Sequence, residues 1–320
     1  MIEPTKSYLR VSYRLRPAKQ VERRMLLDAF RIMAEVGFRF STYQYTGCGS
    51  YHFVDFILFH RLLGIRRLVS AEYSPDIARR VEFNRPFSLV EIRMAAIGDV
   101  IPTLSTEHPH ILWLDYDHHL NHEDIVDISL AAAHLPHGSI ILVTTDTEPP
   151  ELDDSENRIK GPAEWMEYYQ QVAGELMNPG LKASDFAYSK LVDVNLEIIR
   201  KAIQNGVAPR SGLSFAQLCT FEYKDGHRMA TLGGMLVTPD EETMLADSRL
   251  SEVEYLRVNP DDQPFRIHVP TLTRREHLYL DSHMPCADGW SPDAFELEPE
   301  DVEAYRSIYR FYPLYAELLL

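Results

Sequence analysis

Cysteine and basic charge are scarce in this chain of 320 residues. Only three cysteines occur, Cys48, Cys219 and Cys286, far apart and without a CxxC pair. That spacing excludes a disulfide framework and a cysteine-based zinc site, and a reducing cytoplasm is the expected compartment. No run of about 18 apolar residues occurs, so no membrane-spanning helix is expected. The opening MIEPTKSYLRVSYRLRP has no apolar stretch of the secretory kind, and no signal segment is expected. Lys and Arg total 32 against 48 Asp and Glu, a net charge of −16. Such an excess of acid opposes a general nucleic-acid binder held by phosphate neutralisation. Repeats and low-complexity tracts are absent as well.

What is present fits a globular protein, with 45% apolar and 25% charged residues. The length suits one large domain or a domain with an accessory part. Charge is unevenly spread. Residues 1–24 hold seven basic and two acidic groups, net +5, which leaves −21 for the other 296. Residues 6–24 are thus a candidate phosphate or partner contact, or a solvated strand and helix start that pairs with the acidic body.

Residues 17–36 read as an amphipathic helix with Pro17 in its first turn. Strands and helices then alternate: strand 38–46, helix 50–64, strand 66–74, helix 75–84, and a strand leading to Gly98-Asp99. Strand 110–117, helix 123–135 and strand 138–146 complete the series. Nearly continuous apolar strands between helices predict a parallel sheet covered on both faces. Residues 148–156 carry five acids and two prolines in nine positions and read as a loop. Helical pieces follow at 161–177 and 183–206, then two strands over 213–238 joined at Asp225-Gly226, a hairpin signal. The remainder is acidic and proline-punctuated and ends in a Tyr- and Leu-rich helix from 298.

Ligands of such a sheet bind at the carboxyl ends of its strands. The residues there are Gly47-Cys48-Gly49, Glu72, Asp99, Asp115 to His118, and Asp146. GxG allows close backbone approach, and the next helix offers free N–H groups. Residue 52 is histidine, so the dinucleotide fingerprint GxGxxG fails, and no Walker loop GxxxxGK[ST] is present. Glu72 follows Gly49 by 23 residues, a position from which a carboxylate accepts hydrogen bonds from two ribose hydroxyls. WLDYDHH at 113–119 brings Asp115 and Asp117 to one strand end, where like charges are costly unless bound.

Five helix–strand units closed by a hairpin, with these motifs in order, resemble the class I S-adenosylmethionine-dependent methyltransferases over roughly residues 38–238. The chain is also similar to bacterial proteins grouped as O-methyltransferases. The resemblance implies a Rossmann-like α/β fold with a seven-stranded sheet, helices on both faces, an inserted lid segment and a C-terminal extension. It divides the chain into a basic N-terminal strand and helix (1–37), a methyltransferase-like domain (38–238, insert 148–186) and an acidic extension (239–320). S-adenosylmethionine is the implied cofactor. Gly47, Cys48, Gly49 and Ser50 would wrap its methionine part, Glu72 its ribose and Asp99 its adenine, with Asp115 completing the set. The family's acid two places before the first glycine is Tyr45 here, and the third glycine is Tyr51.

Methyl transfer needs an in-line approach and, where required, a proton acceptor. Asp117, His118 and Asp146 are the candidate catalytic groups, with His118 read as a base near neutral pH. Asp115 or Asp117 together with Asp146 could hold Mg²⁺, or Asp146 could cap the acidic loop that follows it. His118, His119 and His122 lie in a loop, where their spacing does not form a transition-metal set. Trp165, Tyr168 and Tyr169 would either form a lid over the acceptor or pack the insert down. The leading expectation is an O-directed methyltransferase for a small or medium acceptor. Two others stand beside it: a non-methylating subunit that binds nucleotide or a protein partner, the latter through the C-terminal extension, and a nucleic-acid-modifying methyltransferase using residues 6–24.

Overall fold

The computed structural model describes residues 16–148 and 161–313. Its centre is an eight-stranded sheet. In chain order the strands are β1 (Gln44–Gly47), β2 (Arg67–Ala71), β3 (Val90–Arg93), β4 (His110–Asp115), β5 (Ile140–Asp146), β6 (Ser214–Asp225), β7 (His227–Val237) and β8 (Phe265–Ile267). Their spatial order is β3-β2-β1-β4-β5-β7-β6-β8. The first five are parallel, β7 runs antiparallel to β5 and β6 antiparallel to β7. The hairpin turns at Gly226, whose φ of +99° suits glycine. The eighth strand corrects the expectation of seven: three residues of the C-terminal extension pair parallel to β6 and prolong the sheet.

The central strands are buried end to end, as their apolar runs require. One face is covered by α1 (Pro17–Glu35) and α2 (Val54–Leu63), together with Tyr255, Phe265, Ile308 and Phe311 of the extension. The other face carries α4 (Ile97–Val100), α5 (His122–His134), α6 (Pro162–Ala173) and α7 (Leu191–Val207). Helix α3 (Ala78–Asn84) links β2 to β3. After β7 come α8 (Pro239–Asp247), α9 (Arg274–Asp281) and α10 (Pro299–Ile308). No helix among the described residues is long and apolar enough to cross a membrane.

Two expectations are corrected here. Trp165 and Tyr169 are buried in the core of the α5–α7 face, and Tyr169 donates to Asn195 Oδ1 at 3.0 Å. Tyr168 donates to the Leu120 carbonyl at 2.8 Å. The described part of the insert is therefore packed down and forms no lid, while residues 149–160 lie outside the described residues. Gly98-Asp99 is also not a strand end, because β3 stops at Arg93 and the pair falls inside α4.

Helix α1 is bound to the sheet by charge as well as by apolar packing. Asp225, at the hairpin tip, accepts from the N–H groups of Ala18 and Lys19 at 3.0 and 2.8 Å, answering two orphan donors of the first turn. Lys19, Glu22 and Arg23 are buried, so this part of the basic segment is not a solvated face. Lys19 Nζ reaches Asp115 at 2.8 Å, Glu22 at 2.9 Å and Thr144 Oγ1 at 3.4 Å, and lies 4.2 Å over the Trp113 ring. Arg23 pairs with Asp55 of α2, and Arg24 donates to the carbonyls of Phe311 and Tyr312. Lys6, Arg10 and Arg14 lie outside the described residues.

Removing one member of a buried pair strands the others without a counter-charge. Lys19→Ala should therefore cost about 3–5 kcal/mol, read as a lower urea midpoint at unchanged slope. An unaltered midpoint would mean that α1 docks through its apolar stripe alone.

Candidate functional site

The sheet register builds the site. Gly47 lies level with Ser70 of β2 and Trp113 of β4, so the turn after β1 sits between Glu72 and Asp115. The Gly49 N–H donates to Ser70 Oγ at 3.2 Å. A Cβ at Gly49 would stand 2.5 Å from that oxygen and 2.9 Å from the Phe53 ring, which only glycine avoids. Ser50 follows in the left-handed region at φ +47°, its hydroxyl buried without a hydrogen-bond partner. Cys48 is open to solvent yet walled by protein. Those walls, and then the charges of Asp115, Glu72 and Asp117, push its thiol up to about 12. The turn after β1 thus stands beside the strand ends that carry Glu72, Asp115 and Asp117.

Each carboxylate is held differently. Burial alone would raise Asp115, but the cations Lys19 and Arg16 outweigh it and keep its carboxyl below the usual range. Its side chain is 22% exposed, so part of the carboxylate stays accessible. Glu72 accepts from the Ser74 N–H at 2.9 Å. Its carboxyl is raised, by burial first and then by the charge of Asp117, against the backbone hydrogen bonds of Ser74 and Tyr73. Tyr45, standing where the family has an acid, is buried, and its hydroxyl lies 2.6 Å from where a Gly47 Cβ would be.

Asp117 and His118 are about half exposed, 3.4 Å apart, and His118 Nε2 lies 3.1 Å from the buried Asp124. Hydrogen bonds to Asp117 and then Asp124 raise the imidazole to about 10, overriding its partial burial. A ring so raised favours the imidazolium, which holds a carboxylate rather than accepting a proton. Asp124 also closes the capping box of α5 with Asn121.

Asp146 donates its N–H to the His118 carbonyl at 3.1 Å, but its carboxylate is directed elsewhere. Its Oδ1 accepts from the Glu148 N–H at 2.7 Å and its Oδ2 faces His227 Nδ1 at 2.8 Å, so it caps its own loop. The Asp146 carboxylate is thus committed to its own loop and to His227 rather than to Asp115 or Asp117. Among the described residues, no group of three or more His, Cys, Asp or Glu side chains is arranged to hold a metal ion. The three histidines diverge too: His119 contacts the Asp146 carbonyl and His122 the Val172 carbonyl. Asp99 is exposed on α4, and its neighbour Gly98 abuts Asp127 of α5.

Sequence reasoning missed Lys19, Glu22, Asp55 and Asp127, and gave Tyr116 only as part of a strand end. One signal was available for the first two: Lys19, Glu22 and Arg23 fall at i, i+3 and i+4 on the stripe that continues through Leu26 and Phe30. Tyr116 shows no such sign, because burial of its hydroxyl depends on where α5 packs.

A parallel sheet continued by an antiparallel hairpin, with a glycine turn after β1 and carboxylates after β2 and β4, defines a class I S-adenosylmethionine-dependent methyltransferase. The chain matches the family described as "Putative O-methyltransferase" over residues 11–320 and belongs to it. None of the curated proteins matches the chain significantly. Among solved structures, cofactor-bound Rv0187 from MTB shares 15% identity at a TM-score of 0.36, covering 65% of this chain and 79% of that one. Geranyl diphosphate C-methyltransferase from Streptomyces coelicolor A3(2), bound to Mg²⁺, geranyl diphosphate and S-adenosyl-L-homocysteine, shares 14% at 0.31, covering 66% and 78%. LepI in complex with S-adenosylmethionine shares 13% at 0.34, covering 61% of this chain and less than half, 43%, of that one. Likeness at these scores bears on no question of substrate.

The raised histidine gives a direct check. The His118 ring should remain protonated in NMR titration until close to pH 10, and Asp124→Asn should bring its midpoint down toward the ordinary value of about 6.5. A ring that titrates near pH 6.5 in the unaltered protein would return His118 to the role of base.

Proposed function

We propose that this methyltransferase acts on an oxygen of a small or medium acceptor, in the recess at the carboxyl ends of β1, β2 and β4. The observation that carries the reading is the register that sets the Gly47–Gly49 turn between the strand ends bearing Glu72 and Asp115. The donor set fits S-adenosylmethionine: a constricted glycine turn, carboxylates for hydroxyl and ammonium groups, and buried hydroxyls of Ser50 and Tyr116 without partners. That cofactor supplies an electrophilic methyl on a sulfonium.

In this reading Gly47 to Ser50 receive the methionine end, and Glu72 accepts from the ribose hydroxyls. Asp115, fixed by Lys19, closes the floor, and Asp99 borders the base end. Asp117 faces the acceptor and takes the proton of its hydroxyl, while the His118 imidazolium holds the carboxylate in place. From Asp117, half exposed, the proton passes to water. A carboxylate is a weak base, so the match is better with a phenol or enol than with an alkyl alcohol.

Two substitutions test these roles. Glu72→Ala should weaken S-adenosylhomocysteine binding by about 1.5–3 kcal/mol, the worth of a charged hydrogen bond, in calorimetry. Asp117→Asn should leave that affinity nearly intact and abolish turnover in a screen of phenolic acceptors. Unchanged affinity in the first variant removes Glu72 from the site, and full activity in the second moves the chemistry elsewhere.

A further inference from the structure

The sheet ends on one side at β3, which pairs with β2 alone. The Arg93 carbonyl accepts from the Glu72 N–H at 2.9 Å, so the backbone groups of residues 91 and 93 face β2. Those of Ile92, between them, point away from the sheet, and nothing among the described residues hydrogen-bonds to them. Such an edge is a template for another strand unless something guards it. At the opposite margin β8 buries Phe265 and Ile267, whereas residues 91–94 all keep some exposure. Three of the eight large apolar side chains exposed among the described residues lie between α3 and the end of this edge. They are Phe83 at 88%, Leu89 at 37% and Met94 at 44%, a share that marks a contact surface.

We propose that this edge joins a second copy of the chain, β3 against β3, antiparallel about a two-fold axis at Ile92. In that register the two Ile92 residues exchange both backbone hydrogen bonds. Glu91 of each copy then faces Arg93 of the other, and Val90 faces Met94. The strand is self-complementary in charge, with an acid one place before the axis and a base one place after it. These charged positions form the non-hydrogen-bonded pairs, where opposed Cα atoms stand about 4.5 Å apart and side chains meet most closely. Glu91 and Arg93 already share one face of the strand, pair at 2.8 Å, and are 58% and 27% exposed. In the dimer each carboxylate lies between its own guanidinium and that of the other copy. In-register parallel pairing would instead oppose acid to acid and base to base, which is destabilising. Ile92 packs on the α1–α2 core of its own copy, so the joined edges bring two such cores side by side.

The test is the mass of the full chain in solution, by light scattering at low ionic strength, where exposed charges are least screened. The unaltered protein should run at twice the chain mass of 36.9 kDa. Glu91→Arg sets base against base in both pairs, and Arg93→Glu sets acid against acid. Each variant alone should weaken association about tenfold or more. Mixed in equal amounts, the two variants should recover the dimer, because every base then faces an acid of the other copy. Neither variant keeps an ion pair within its own strand, so recovery reports contact between copies and shows that both are folded. The double variant, with the two charges exchanged, should dimerise like the unaltered chain. A monomeric unaltered protein overturns the inference and leaves Glu91 and Arg93 as guards of the edge. A dimer that persists undiminished in each variant alone overturns it as well, and so does a mixture of normal circular dichroism that stays monomeric.

Discussion

The buried contact between Lys19 and Asp115 joins parts of the molecule that the chain keeps far apart. It fixes the amino end of α1 against the carboxyl ends of β4 and β5, where the recess opens. An ammonium taken out of water is tolerated only with counter-charges and satisfied donors, and here Asp115, Glu22, Thr144 and the Trp113 face supply them. Such a pair adds little net stability compared with an apolar substitute, but it tolerates few alternative arrangements. A slipped α1 would leave three charged groups unmatched. The pair thus specifies the position of α1, and with it that of the Asp115 carboxylate.

The same helix connects the rest of the structure. Asp225 at the tip of the β6–β7 hairpin holds its start, Asp55 of α2 holds Arg23, and Tyr255 of the extension donates to Asp28 at 2.8 Å. The apolar side of α1 shares one core with β8 and the segment after α10. The residues flanking the sheet therefore meet on one face of it, and the site floor is built on their junction.

How much of this was legible depends on whether the physical cause is local. Strands β1, β2, β4 and β5 and the hairpin were readable, since buried strands demand continuous apolar runs and Asp-Gly favours the turn. The positions of Glu72 and Asp115 followed from the topology. Strand β8 was not readable, because three residues have no period of their own and take their structure from pairing with β6. Helix α4 was hidden for a similar reason, being four residues long. Asp146 and His118 were correctly placed at the strand ends, but their partners come from His227 and Asp124, and only packing decides those. Lys19 looked like a solvated residue because its counter-charge lies 96 positions away.

Cations recruited from outside the motifs also decide the charge state of the recess. Glu72, Asp115 and Asp117 all act on Cys48, and Asp117 acts on Glu72 as well. Left alone, neighbouring carboxylates raise each other's affinity for protons. Glu72 shows the beginning of that shift. Asp115 escapes it through Lys19 and Arg16, and Asp117 has at its side the His118 ring, raised by hydrogen bonds to Asp117 and then Asp124. On the proposed reading, the consequence reaches the reaction. The methyl donor carries a sulfonium charge that its product lacks, so a recess kept anionic favours the donor over the product. Exchange of one for the other is then aided by the same charges that hold the fold together.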